Sequence, residues 1–163
     1  MILRTAALAL IAALALAPAA DASGKKENKA SATFHMETDV SDNPKMIFPQ
    51  LANGQTRYFR RMPDVSLKDM ASFNPFPSEF GGDDYGIVFR LKPNAVNRFA
   101  ALTNANQGRW MISQVNGRVA DGFLIDRQVS DGVVVIWKGV TLADIALFDA
   151  QLPRTGEEGK KKQ

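Results

Sequence analysis

Residues 110–115 and 118–125 are apolar-rich runs separated only by Asn116-Gly117. A two-residue connection between strands needs positive φ at both central positions, and Asn-Gly accepts that backbone at the lowest steric cost. The stretch therefore predicts an antiparallel hairpin whose apolar face must be covered by the rest of the chain. Upstream, residues 85–91 read as a strand with Ile87, Phe89 and Leu91 on one face. Pro93 suits the first turn of a helix, where its missing N–H costs nothing. Val96, Phe99, Ala100 and Thr103 then share one helical face, with Ala95 and Leu102 at its margins. Downstream, Asp131-Gly132 is a second two-residue turn, and residues 133–137 form a continuous apolar strand broken at Gly139. Thr141, with Asp144 three residues on, caps a last helix. Leu142, Ile145, Phe148 (or Ala146) and Leu152 make its apolar face, and Pro153 stops it. The order is strand, helix, three strands, helix. It predicts an α+β ferredoxin-like sandwich, an antiparallel sheet with two main helices on one face.

An N-terminal strand and hairpin add to this unit. In residues 32–40, Phe34, Met36 and Thr38 alternate with His35, Glu37 and Asp39, the period of a half-exposed strand. Residues 46–51 and 56–62 are short strands joined across Asn53-Gly54, with Pro49 pointing to an edge position. Ser66 and Asp69 sit at the capping-box offset of a short helix. Residues 74–84 hold Pro75, Pro77, Gly81 and Gly82 and read as loop.

At 163 residues the chain is long enough for one domain and short for two. Its start is not fold. Arg4, the apolar run of residues 6–17 and the small residues after it have the layout of a secretory signal peptide. Cleavage is expected after Ala22, with Ala19 as the other site that fits the small-x-small rule. That makes 1–22 a signal peptide, 23–30 a flexible spacer, 31–156 one α+β domain and 157–163 a basic tail. The apolar run is shorter than the ~20 residues a spanning helix needs, and no later segment is longer, so no integral membrane segment is expected after cleavage. The chain is expected to be exported, to the periplasm or outside the cell. It has no Cys, so a buried core rather than disulfides must stabilise it.

The net charge of +3 does not describe the domain. Between residues 31 and 156, 13 basic and 13 acidic side chains cancel. The excess lies in Lys25, Lys26 and Lys29 and in Lys160, Lys161 and Lys162. A nucleic-acid partner is therefore not expected. A metal or other cofactor is not expected either: one His and no Cys make a poor ligand supply, and Asp83, Asp84, Asp126 and Asp131 suit turn hydrogen bonding. His35 is read as an exposed strand residue, since no spacing pairs it with a nucleophile. No catalytic residue is assigned. Arg57, Tyr58, Phe59, Arg60 and Arg61 form the one basic-aromatic cluster, read as an edge strand protected by charge. Phe73, Phe76 and Phe80 form either a lid over the core or an apolar patch for a partner. Trp110 and Trp137 are read as core or helix cover.

Residues 89–108 carry a further signal. Arg98-Phe99-Ala100-Ala101-Leu102-Thr103, followed by Asn106-Gln107-Gly108, resembles the strand-then-helix of the head part of the first periplasmic domain of SecD/SecDF, the Sec translocon accessory protein. The likeness runs on through Val115-Asn116-Gly117-Arg118-Val119 and through residues 139–152, which look like the closing helix of that head. It covers roughly residues 57–152. Where the family's third strand usually bends at a Ser-Ala-Pro-like sequence, this chain has Ala120-Asp121-Gly122. The family's six membrane helices and proton-coupling residues have no counterpart here. The resemblance implies a ferredoxin-like α+β head, no catalysis, and contact with a protein or polypeptide of the cell envelope. Arg57, Phe59, Arg61, Phe73, Phe76 and Phe80 are the expected contacts. Two other readings stay open: a small secreted hydrolase or metal-dependent enzyme using His35, and a structural domain of the envelope.

Overall fold

Both Asn-Gly pairs turn as their chemistry requires. Asn116 and Gly117 have φ of 49° and 79°, and Asn53 and Gly54 have 50° and 72°, positive at both central positions in each case. The computed structural model describes residues 29–157 and 159. The expected signal peptide, most of the spacer and the lysine-rich end lie outside the described residues.

The chain runs β1 (Ala32–Thr38), β2 (Ile47–Ala52), β3 (Gln55–Arg60), β4 (Val65–Ser66), a 3-10 turn (Leu67–Asp69), β5 (Met70–Pro77), β6 (Tyr85–Leu91), α1 (Pro93–Ala105), β7 (Trp110–Val115), β8 (Arg118–Leu124), β9 (Val133–Val140) and α2 (Leu142–Asp149). The fold is α+β and its strand pairs are antiparallel. The strands divide between two sheets, β2-β3-β1-β7-β8 with β4 beside β1, and β5-β6-β9. The strand rich in arginine, β3, is flanked by β2 and β1 and is not the expected edge.

One core serves both sheets and both helices. Phe34 of β1, Phe73 of β5, Phe89 of β6 and Phe148 of α2 are all fully buried. Phe89 touches the other three rings at centroid distances of 5.6–6.4 Å, two of them edge-on. From α1, Phe99, Ala100 and Thr103 turn inward, as the helical period predicted; Ala95, expected at the margin, is buried with them, and Val96, expected on the face, is half-buried. From α2, Ile145 and Phe148 do so, whereas Leu142, the first residue of the helix, is exposed.

Asp144 joins the hairpin to α2. Its carboxylate accepts from the Thr141 N–H at 2.9 Å, from Asn116 Nδ2 at 2.7 Å and from the Arg118 guanidinium at 2.6 Å. Burial works to raise the Asp144 carboxyl, but these donors outweigh it and hold the group below the ordinary carboxylate range. Asn116 Oδ1 in turn accepts from the Ser31 N–H at 2.8 Å. The turn that starts the hairpin thus also anchors β1 and caps α2.

Two segments depart from expectation. Residues 74–77 belong to β5 and are not loop. Phe73 exchanges backbone hydrogen bonds with Pro153 and Thr155 on the outer edge of β5. Residues of the same parity, Pro75 and Pro77, therefore present their nitrogens to that edge, where no ladder donor is missed. Further on, β9 continues through Gly139 to Val140 and pairs with β6, not with β8.

No Cβ would meet another atom within 4 Å at Gly117, so its substitution tests backbone conformation alone. Gly117→Val should destabilise the chain by about 1–3 kcal/mol, because a β-branched residue is forced into the left-handed region. A thermal melt of the variant matching the parent would contradict the turn assignment.

Candidate functional site

The exposed chemistry of the chain gathers where β9 bulges. Tyr85 pairs with Val140 and Ile87 with Ile136, so Gly86 alone stands opposite Trp137, Lys138 and Gly139. Gly139 turns the bulge at φ 85°, and a Cβ there would lie 2.5 Å from the Ala120 carbonyl oxygen. Gly86 gives room on the β6 side: a Cβ there would lie 2.2 Å from the Phe76 ring. Phe76 thus brings the tip of its ring against a glycine and meets Trp137 edge-on at 5.9 Å. The indole is 61% exposed. Beside it, Phe80 is 72% exposed and carries the Lys138 ammonium 4.8 Å from its ring centre. Phe76, Pro77, Glu79, Phe80 and Trp137 line a cleft of about 380 Å³.

The two loop aspartates hold this surface. One Asp84 oxygen accepts from the Gly139 N–H at 2.7 Å and the other from the Ser78 hydroxyl. The Ser78 hydroxyl first, then the Gly139 amide, hold the Asp84 carboxyl below the usual range. Asp83 accepts from the Leu142 N–H at 2.9 Å, a free donor at the start of α2. The Gly-rich loop is therefore clamped to the β9 bulge at one residue and to α2 at the next. Among the described residues no group of three or more His, Cys, Asp or Glu side chains could hold a metal ion.

Trp137 also borders a second depression. It is a groove of about 400 Å³ between β8 and β9, walled by Phe123 and Leu124 on one side and by Val133 and Val135 on the other. At its narrow end the Asp121 carboxylate accepts from the Trp137 N–H at 2.9 Å. Asp121 thereby takes a backbone donor that β8 does not.

The six expected contacts separate. Phe76 and Phe80 stand on the exposed surface. Phe59 and Phe73 are fully buried, which corrects their reading as partner contacts. Phe59 packs with Ile112, Ala52 and Phe48 in a small core under the β2–β3 hairpin. Phe73 touches Phe89 and Phe148, with the Arg154 guanidinium over its ring at 4.7 Å. Arg57 is half-buried, paired with Glu37 at 2.7 Å and 5.5 Å above the Trp110 ring. Arg61 donates to the carbonyls of Lys45 and Ile47. The arginines therefore brace β2 and β1 and do not join the aromatic surface. Trp137, expected as core, is its centre. The signal was present: Val134 and Ile136 alternate with Val133, Val135 and Trp137, but an unbroken apolar run conceals which parity faces out.

No family model matches the chain, and no curated protein matches it. Solved structures do. The fold resembles that of SecDF. A structure of SecDF, described as a membrane component that enhances protein export, matches with a TM-score of 0.51 and 18% identity over 73% of this chain and 61% of that one. A structure of SecDF in a super-membrane-facing form matches with a TM-score of 0.49 and 17% identity over 72% of this chain and 18% of that one. The matched region thus spans about three fifths of the first SecDF chain and under a fifth of the second. Among the described residues no helix is long and apolar enough to cross a membrane.

Nothing in the SecDF-like fold gives His35 a catalytic setting. It is 5% exposed, which corrects the expectation of a solvated strand residue. The β2–β3 hairpin covers it: Phe48 meets the imidazole edge-on at 5.5 Å. Nδ1 lies 2.8 Å from the Arg60 carbonyl and Nε2 2.9 Å from the Thr33 hydroxyl. The carbonyl can only accept, so Nδ1 carries the proton and Nε2 accepts from Thr33 in a neutral imidazole. Both nitrogens are used, and neither reaches a carboxylate directly.

Burial lowers the His35 pKa, with the Arg60 carbonyl and Asp64 opposing. The unfolded chain therefore takes up the proton first. Stability from this site is complete above about pH 6.5 and declines as the pH falls through that value. The depressed carboxyls of Asp69, Asp84 and Asp144 act lower, below about pH 4. The melting temperature should fall between pH 7.5 and 5.5, and less so in His35→Gln. Equal slopes in the two proteins would show that His35 is not the group responsible.

Proposed function

We propose that this chain is an exported, non-catalytic module that binds polypeptide through the aromatic surface of Phe76, Phe80 and Trp137. The observation that carries the reading is that this surface is both apolar and held in place. Large exposed aromatics cost solubility and are retained where a partner covers them. Here two glycines and two aspartate clamps fix the three rings, so little conformational entropy opposes binding. Residues 31–156 carry as many basic as acidic side chains, which suits an apolar segment better than a nucleic acid. The SecDF-like fold and the signal-peptide layout support a place in protein export, with the domain acting outside the cytoplasm on a protein or polypeptide of the envelope.

Export is tested separately from binding. Leu10→Arg puts a charge into the apolar leader, and the chain should then accumulate uncleaved in the cytoplasm. Unchanged fractionation would remove the export reading.

Binding is tested with a fluorescein-labelled, permanently unfolded polypeptide titrated by anisotropy. The parent should bind it. Trp137→Ser and Phe80→Ser should each weaken binding about tenfold, as interface aromatics do, while stability changes by only about 0.5 kcal/mol, as is usual for exposed side chains. If neither change alters binding, the surface is wrong. If the parent binds no polypeptide, a structural role in the envelope becomes the better reading.

A further inference from the structure

Besides the two-residue β4, the two sheets leave four outer strands, and the chain treats their edges differently. On β5, the segment 153–155 lies along the outer edge at Phe73, and Pro75 and Pro77 remove the next two donors on that same edge. On β2, Pro49 lacks an N–H to offer and the Arg61 guanidinium occupies the Ile47 carbonyl. These are ordinary protections against unwanted strand pairing. The remaining edges, β8 and β9, face each other without pairing.

Their contact is closed at one end only. Gly139 packs against the Ala120 backbone, and the Asp121 carboxylate accepts the Trp137 N–H. Strand alternation then turns the N–H and C=O of Val135 toward β8 as well. No described strand pairs with that edge. At the far end the Val133 N–H is taken by Asp131 Oδ1 at 3.0 Å. Between these two aspartates lies a short main-chain edge, opposite the side chains of Phe123 and Leu124, of which Leu124 is 48% exposed. Along its walls the charges are Asp126 and Arg127, which face each other at 3.8 Å, while Asp121 and Asp131 stand at its two ends with their carboxylates on backbone N–H groups.

We infer that the edge of β9 at Val135 takes an extended, apolar and uncharged polypeptide segment as an added strand. The incoming backbone hydrogen-bonds to Val135 and to the Val133 carbonyl. Its alternate side chains rest on Phe123, Leu124 and Trp137. The apolar walls select against a charged segment, the aspartates at both ends against an acidic one above all, and the unpaired main-chain groups select for an extended one. The inference rests on the polypeptide-binding reading and deepens it: backbone pairing makes binding tolerant of sequence, with Trp137 shared between the groove and the aromatic cleft.

The probe is a fluorescein-labelled octapeptide of alternating valine and threonine, compared with the same peptide N-methylated at every second and every third residue so that both edges lose donors. Both are titrated against the full exported chain. The unmodified peptide should bind at least tenfold more tightly than the methylated one. Val135→Pro, which removes the edge donor from β9, should lose the difference while keeping the parent's melting temperature. The peptide comparison holds even if that variant folds poorly. Equal affinity of the two peptides overturns strand addition but leaves the aromatic surface as a binding site. No binding of either, with the unfolded polypeptide of the preceding test still bound, overturns it too. A chain that self-associates and takes no peptide assigns the edge to a second copy and overturns the inference.

Discussion

Phe89 is the contact on which the two-sheet arrangement depends. It stands in the middle strand of the small sheet and touches Phe73 in the neighbouring strand, Phe148 of α2 and Phe34 of the large sheet. A fully buried Phe contributes about 1.5–3 kcal/mol by transfer alone, and edge-on pairs add about 0.5–1.5 kcal/mol each. No hydrogen-bonded ladder joins the two sheets. Their relative position is set by this cluster and by the bond from the Trp137 N–H of β9 to Asp121 of β8, while Asp144 and Asn116 tie α2 to the hairpin turn. In a chain without cysteine, directional contacts of this kind take the place of covalent links between layers.

The same economy shapes the exposed surface. A bulge in β9 lets one strand finish its pairing with β6 and still pass close to β8. The extra residues of the bulge turn Trp137 and Lys138 outward, and the missing side chain at Gly86 seats Phe76 beside them. An aromatic surface built this way sits on a sheet rather than on a free loop, so it is presented at a fixed place. Its likeness to SecDF is one of fold; the site itself is written in this chain's own glycines, aromatics and aspartates.

Much of the fold was legible because it rests on local chemistry. The bounds of β6, the Pro93 start of α1, both Asn-Gly turns and the Thr141–Asp144 cap follow from steric and hydrogen-bonding rules that act within a few residues. The site was legible only in part. Phe76 and Phe80 stood out as aromatics in a stretch rich in proline and glycine. Phe73, three residues earlier, looked the same and is fully buried, because β5 turns alternate side chains to opposite sides and its pairing with β6 decides which. His35 was missed in the same way: its strand has a polar side by period, but the β2–β3 hairpin folds over it.

By itself the sequence determined the α+β class, the two Asn-Gly turns, the Thr141 cap and most of the inward face of α1, since each needs only near neighbours and a period. The tertiary structure alone decided that β9 leaves β8 to pair with β6, that Pro75 and Pro77 lie on an outer edge, and that Trp137 faces solvent. Those outcomes depend on which of several apolar surfaces meet, and a strand such as 133–137, apolar at every position, carries no pattern that says which face is inside.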